Sequence, residues 1–282
     1  MRLGVTMFAT DQAMPIDELA RAAEERGFSS LYVPEHTHIP TSRATPAPTG
    51  DARLPDQYSR TLDPFVALTA AAAVTERLRV GTGIALVAQR DPIVTAKAVA
   101  TLDLLSRGRF TFGIGFGWNR EEMADHGVEY AHRRAIVREK MLAMRRLWED
   151  DEASFSGEHV RLAPSWSWPK PGQRPRMPVL IGGAAGPKLF AHVVEYADGW
   201  IPIGGAGLTK AAPELRRTAE RAGRDPDELE IIPFGTIPDA GKLDHYASLG
   251  IKEVVVRAPS ARAAMVLPVL DEYAPFVVES GA

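Results

Sequence analysis

The sequence predicts a (β/α)₈ TIM barrel with an insertion before the fifth strand. Three observations carry that expectation. Short β-rich runs alternate with longer helical patterns along most of the chain. Several of those runs, Val254-Val255-Val256 among them, are apolar without alternation, as strands covered on both faces must be. Eight such runs fit within 282 residues, a size at which a closed barrel forms as one unit. A doubly wound open sheet is the rival arrangement, and the strand count favours the barrel. Residues 1–282 are therefore read as one domain, with an irregular insertion at about 150–178.

The elements follow in order. Leu3–Phe8 is an apolar run at the start. Pro15–Arg26 reads as a helix: Pro15 suits the first turn, Asp17 and Glu18 suit its positive end, and Gly27 suits the stop. Ser30–Pro34 is a second strand. The stretch Thr37–Arg60, rich in Pro, Thr and Arg, is too long for a simple connection and reads as a functional loop. A helix over Asp63–Thr75 and a strand over Leu78–Leu86 come next. Pro92 opens another helix, with Val94, Ala98, Thr101, Leu102 and Leu105 in helical period and Gly108 as its stop. Phe110–Phe116 is the fourth strand. Arg133–Trp148 is amphipathic, with Val137, Met141, Met144 and Trp148 on one stripe. Ser154–Val160 reads as a small hairpin. Pro164–Pro178 holds five prolines and two tryptophans and reads as an irregular surface excursion. The alternation then resumes, with strands at Val179–Ile181, Gly199–Ile203, Leu229–Phe234 and Glu253–Val256. Helices are expected near Pro187–Tyr196, Thr209–Ala222, Ala240–Leu249 and Ser260–Val277.

Composition excludes several chemistries. With 33 Lys and Arg against 36 Asp and Glu the net charge is -3, which argues against nucleic acid as a partner. The absence of cysteine excludes disulfides, zinc–thiolate sites, iron–sulfur clusters and thiol catalysis. The longest purely apolar run is Ala70–Val74, so no membrane span is expected. The first residues lack a secretory apolar core, and a cytoplasmic location is expected.

In a barrel the site lies at the C-terminal ends of the strands. Glu35, His36 and His38 follow strand two. Gly81, Gly83 and Ile84 lie in strand three and Arg90 beyond it. Strand four runs through Gly113, Gly115, Phe116, Gly117, Trp118 and Asn119. Gly182, Gly183, Ala184, Ala185 and Gly186 follow strand five, and Gly204, Gly205 and Gly207 follow strand six. Glycines at strand ends imply close approach by something flat or by another backbone. Spaced by two, Gly113, Gly115 and Gly117 share one face and leave that wall open. Gly182–Gly186 before Pro187 offers bare amides at a helix start, an anion seat. Lys188 in the first turn opposes the helix dipole unless an anion is near; the plainer reading is a flexible turn with an exposed lysine. Glu35 and His36 read either as a general acid/base pair or as solvated loop groups. His36, His38 and Glu35 also resemble metal ligands, but no third distant ligand supports them and no metal is expected. Trp118 either stacks on a ligand or packs over the rim. Arg90, beside Asp91 and Pro92, either grips an anion or is salt-bridged within its loop. His126 and His132 read as solvated. No nucleophile elbow, P-loop or dinucleotide fingerprint is present.

Taken together, Val80-Gly-Thr-Gly-Ile84, Arg90-Asp-Pro92, Ala96-Lys97, Thr101 to Arg109 and Gly113-Ile-Gly-Phe-Gly-Trp-Asn-Arg-Glu-Glu122 resemble the luciferase-like monooxygenase superfamily. They look most like its branch that uses the deazaflavin coenzyme F420. Ile181 to Gly186 and Ala197-Asp-Gly-Trp200 are similar to the family's phosphate loop and following strand. The resemblance implies a tricyclic ring lying in the barrel mouth on a bulge at Gly83-Ile84, which in relatives often contains a non-prolyl cis peptide. It implies Phe116, Gly117 and Trp118 lining that ring and the coenzyme phosphate on Gly182, Gly183, Ala184, Ala185 and Gly186. Lys188 or Arg90 would hold the acidic tail, and His36 would move the proton with Glu35 orienting it. Glu35 departs from the aspartate common in relatives. Trp118 stands where some sugar-phosphate dehydrogenases of the family carry an acidic glutamate, which argues against that substrate. The expected activity is hydride transfer between F420 and a small organic substrate. The alternatives are an FMN-dependent two-component monooxygenase and a non-catalytic flavin or deazaflavin carrier. A homodimer through the early barrel helices is expected as well.

Overall fold

Short polar residues set the starts of the helices that frame the site. Asp63 accepts from the Phe65 and Val66 amides, Asp91 from Val94 and Asn119 from Glu122, each satisfying donors that the first turn leaves bare. Pro64 and Pro92 then occupy first helical positions where no amide is needed. The computed structural model describes residues 1–47 and 53–277; residues 48–52 of the expected loop and 278–282 at the end of the expected domain lie outside them.

The elements are β1 (Arg2–Thr6), α1 (Ile16–Glu25), β2 (Ser30–Val33), α2 (Pro64–Ala73), β3 (Arg79–Thr82), α3 (Pro92–Leu105), β4 (Phe110–Ile114), α4 (Arg120–Asp125) and α5 (Arg133–Glu149). Then come β5 (Ala153–Ser156), β6 (Arg161–Ser165), β7 (Val179–Gly182), α6 (Pro187–Tyr196), β8 (Gly199–Ile201), α7 (Leu208–Arg221), β9 (Glu230–Ile231), β10 (Phe234–Thr236), α8 (Ala240–Ser248), β11 (Glu253–Arg257) and α9 (Ala263–Tyr273). One parallel sheet runs β10-β11-β1-β2-β3-β4-β7-β8-β9. Its register pairs Val5 with Leu31, Leu31 with Val80, Val80 with Phe110 and Phe112 with Val179.

The sheet curls until its ends meet. β9 and β10 are the two pieces of the strand expected over Leu229–Phe234. The Ile232 amide still donates to the Trp200 carbonyl on one side, and the Pro233 carbonyl accepts from Val255 on the other. Pro233 has no amide to give, so the ladder breaks there without either neighbour being lost. A bridge between Ile203 and Phe234 completes the closure. Inside the ring Tyr32, Leu180, Ile201, Ile232, Phe234 and Val255 form their own buried cluster, as a filled barrel requires. The larger core packs the outer faces of the strands against the helices.

Several elements differ from the sequence reading. The strand expected over Phe110–Phe116 ends at Ile114, and the one over Leu78–Leu86 stops at Thr82: the Gly83 amide still bonds the Val33 carbonyl, and the Gly83-Ile84 bulge then interrupts the ladder. The hairpin is longer than Ser154–Val160: β5 and β6 pair antiparallel and draw in Pro164 and Ser165 from the expected irregular stretch. α4 is a separate short helix that the apolar pattern did not mark. The rest of the excursion is tied down by Lys170, which donates to the Leu147 carbonyl, and by Gln173, which bonds the Asp103 carboxylate. No helix among the described residues is long and apolar enough to cross a membrane.

Candidate active site

β2 delivers Glu35 and His36 to the C-terminal rim, where both are buried. They have different partners. Glu35 accepts from the Leu86 amide (2.7 Å) and from Arg90 Nε (2.6 Å), with a second contact to the same guanidinium. Arg90 also reaches Asp63 (2.8 Å) and lies over the Phe65 ring. Burial works against the Arg90 charge, yet Glu35 and then Asp63 hold its pKa above the ordinary value. Glu35 and Arg90 are therefore spent on one another, fixing the turn Val87–Gln89 against the end of β2.

His36 faces the other way. Its Nδ1 lies 2.8 Å from Glu122 Oε2, and Glu122 is 1% exposed. The ring meets Trp118 edge-on at 5.7 Å and Tyr58 at 5.4 Å, and Tyr58 in turn contacts Phe8. Thr61 brackets the His36 backbone, donating to its carbonyl and accepting from its amide. With Nδ1 engaged, Nε2 is the nitrogen through which this ring can meet a ligand.

The glycines of β3 and β4 make room for protein before they make room for anything else. A Cβ on Gly115 would collide with Ile84 Cδ1, and one on Gly182 would press on Ile84 Cγ2. A Cβ on Gly83 would enter the Phe234 ring. These gaps seat the Gly83-Ile84 bulge, whose peptide bond is cis. The Ala85 amide still donates to the Gly113 carbonyl and Gly115 to Ala85, so the ladder resumes beyond the bulge. Ile84 stays half-exposed at the rim. Gly117 adopts φ +75°, a left-handed turn that carries Trp118 back toward His36.

After β7 the backbone of Gly183, Ala184, Ala185 and Gly186 turns into α6, with Ala184, Ala185 and Lys188 exposed. Trp200 Nε1 pins the loop through the Gly183 carbonyl (2.8 Å). Further along α6, His192 packs on the Phe116 ring (5.0 Å), and the Arg134 guanidinium from α5 covers the same ring (4.3 Å). Arg134 Nη1 and His192 Nδ1 are buried with no hydrogen-bond partner. Burial and then Arg133 lower the Arg134 pKa; burial and then Arg134 lower that of His192. The Gly-rich start of α6 offers backbone amides of the kind an anionic group needs.

Toward β8 and β10 the rim is apolar, with Ile203 67% and Ile237 57% exposed. Arg43 sits 6.0 Å from the Trp118 ring. Among the described residues, no group of three His, Asp or Glu is placed to hold a metal ion. His38 and His126 are drawn to α4 and Thr37: His38 bonds Asp125, and His126 bonds the Thr37 hydroxyl.

Sequence reasoning missed Glu122, Arg134, His192 and Tyr58. Asn119-x-x-Glu122 has capping-box spacing, the one local signal available. It marks a helix start and says nothing of His36, 86 positions away. Arg134 and His192 lie on helix faces that look solvated until α5 and α6 pack together.

A sequence model of luciferase-like monooxygenases matches residues 4–238. An uncharacterised Mycobacterium tuberculosis protein is 46% identical over 266 residues, 93% of this chain and 94% of its own. Among solved structures, an F420-dependent secondary alcohol dehydrogenase in complex with an F420-acetone adduct superposes with TM-score 0.77 at 20% identity, over 99% of this chain and 98% of that one. A Pseudomonas putida type II Baeyer–Villiger monooxygenase in complex with FMN gives 0.65 at 17%, over 82% and 66%.

Proposed function

The chain belongs to the luciferase-like monooxygenase family, and from that premise we propose that it is an F420-dependent oxidoreductase acting on a small organic alcohol or carbonyl compound. When bound, the deazaflavin would supply or accept the hydride. What supports the reading is a buried histidine with one nitrogen engaged at the end of β2, together with the Gly-rich turn into α6 whose amides would seat an anion. Gly182, Gly183, Ala184, Ala185, Gly186, Arg134 and His192 would hold the coenzyme phosphate. Gly83, Ile84, Phe116, Gly117 and Trp118 would border the ring. Arg43 and Lys188, both exposed cations, would face the acidic tail; Arg90, already bonded to Glu35 and Asp63, would position rather than bind. His36 Nε2 would give a proton to the substrate oxygen or take one from it, while the surrounding aromatic rings keep water out.

The FMN-dependent monooxygenase is the second reading, favoured by the phosphate seat alone, since FMN lacks the acidic tail. Titration with F420 and with FMN, followed by tryptophan fluorescence, separates the two. Micromolar binding of F420 that weakens at least tenfold in Arg134→Ala is the expected result. Binding of FMN with none of F420 overturns the cofactor assignment.

A further inference from the structure

We propose that Glu122 is the positioning residue that fixes which nitrogen of His36 carries the proton. The inference rests on His36 being the proton-handling group of the proposed function, and it concerns an atom that neither sequence nor family resemblance singled out.

The argument begins at the Asn119 cap. Asn119 Oδ1 accepts from the Glu122 amide (3.2 Å), which is one half of a capping box. In a complete box the glutamate side chain would reach back to the amide of the capping residue. Here it is carried outward to the end of β2. Glu122 Oε2 meets His36 Nδ1 at 2.8 Å, and Oε1 accepts from the Thr37 amide at 3.2 Å. Both oxygens thus face the same two-residue stretch of backbone and ring.

The rest of α4 holds that stretch in place. Asp125 bonds His38 at 2.9 Å, His126 meets the Thr37 hydroxyl at 2.7 Å, and Glu121 accepts from the Thr45 amide at 2.9 Å. Glu121, Glu122 and Asp125 of α4, with His126 just beyond it, therefore grip the segment from His36 to His38 and, further on, Thr45. Asp125 and His126 are exposed and Glu121 is partly so, whereas Glu122 is 1% exposed and His36 8%. Glu122 is the contact of this set that solvent cannot replace.

Its chemistry follows from the donor and acceptor inventory. An ionised carboxylate only accepts, so the hydrogen between the two groups belongs to Nδ1 and the Nε2 lone pair is left free. The neutral ring then accepts a proton at Nε2. When protonated, it presents N–H at Nε2 to a substrate oxygen, with the compensating charge already beside Nδ1. Without Glu122, no other hydrogen bond to the His36 ring among the described residues selects Nδ1–H, and an isolated imidazole favours neither nitrogen strongly.

The test reads the tautomer directly and needs no cofactor. Long-range ¹H–¹⁵N spectra of the full chain are recorded well above the titration range of histidine, with His36→Gln used to assign the signals. The wild type is expected to show His36 protonated at Nδ1. Glu122→Ala is expected to lose that preference, with a mixed or Nε2–H signal. Glu122→Gln, whose carbonyl still accepts, is expected to restore it. A purely structural carboxylate would alter the unfolding midpoint and leave the tautomer unchanged. Nε2–H in the wild type overturns the assignment even if Glu122→Ala does not fold, and an unchanged Nδ1–H signal in a folded Glu122→Ala overturns it equally. The spectra are independent of cofactor titration, so failure of this inference leaves the proposed function standing. A protein that binds neither F420 nor FMN leaves the tautomer result intact.

Discussion

Glu35→Ala is the substitution that asks most of the structure. Glu35 is 3% exposed, and its carboxylate satisfies the Leu86 amide and the Arg90 guanidinium together. Removing one partner of a buried pair costs about 3–5 kcal/mol, because the remaining charge stays desolvated. Arg90 is 19% exposed and keeps Asp63, so the lower end applies, about 3 kcal/mol. At about 2–4 °C per kcal/mol this lowers the unfolding midpoint by roughly 6–12 °C. Glu35→Gln retains an acceptor for Leu86 and should lose about half as much. In the double variant Glu35→Ala/Arg90→Ala no guanidinium is left unpaired, so its destabilisation should fall short of the sum by roughly 1–3 kcal/mol. Urea unfolding followed by tryptophan fluorescence measures all five proteins: wild type, Glu35→Ala, Glu35→Gln, Arg90→Ala and the double variant. A Glu35→Ala protein within about 1 kcal/mol of wild type, or a strictly additive cycle, would refute the claim that this carboxylate is a fixed strut.

Other consequences are as direct. His36→Ala should leave cofactor affinity nearly unchanged and slow turnover by about 10²–10⁴-fold; full activity removes His36 from the chemistry. Burial and then Arg134 hold the His192 pKa below the usual histidine value. The unfolded chain therefore takes up that proton first, and stability falls as pH drops below about 6.5. His192→Asn should flatten the difference in unfolding free energy between mildly alkaline and mildly acidic solution, and an identical slope in both proteins would show that His192 is not held neutral. Gly113→Ala would drive a methyl group into the Thr82 carbonyl, backbone against backbone, and should cost about 3 kcal/mol or more in urea unfolding. Gly127→Ala, at φ +71° with nothing nearby, should cost only about 1–2 kcal/mol. The exposed Val66, Ile93, Val94 and Leu105 on α2 and α3 would bury against a second copy. Val94→Glu should then shift sedimentation from dimer to monomer, and a wild-type monomer at all concentrations would exclude that assembly.

What the sequence disclosed, and what it withheld, divides by range. Parallel strands buried on both faces must be apolar, so Val179–Ile181 and Val254–Val256 announce themselves. Asp63-Pro64 and Asp91-Pro92 are local caps, legible from adjacent residues. The same logic misled at Leu78–Leu86: the run reads as strand to its end, but Ile84 leaves the strand where Gly115 and Gly182, from elsewhere in the sheet, vacate space for it. Period two treats Gly113, Gly115 and Gly117 as one strand face, but β4 ends at Ile114 and Gly117 sits in a left-handed turn against Met123. Nor could the period tell that a side chain of this chain occupies part of the wall those glycines open. Arg90 was legible only as a choice between anion ligand and loop salt bridge, and the choice depends on Glu35, 55 positions earlier. Glu122 was invisible for the same reason.

The charges of the rim explain why a hydride-transfer reading suits it. Glu35, Arg90 and Asp63 neutralise one another on one flank, and Glu122 faces His36 on the other. The rings that meet His36 are aromatic, Trp118 and Tyr58, and elsewhere on the rim Ile203 and Ile237 are exposed aliphatic side chains. Hydride moves as a closed-shell pair and asks the protein for alignment, dryness and one proton, with little fixed charge at the reacting carbon. An anionic substrate would need a cation of its own near His36. Arg90 is engaged, and Arg43 stands against Trp118, 6.0 Å from its ring. The pairing pattern therefore suits a neutral substrate, and under the proposed function Arg134 would be the cation left to face the phosphate of the cofactor.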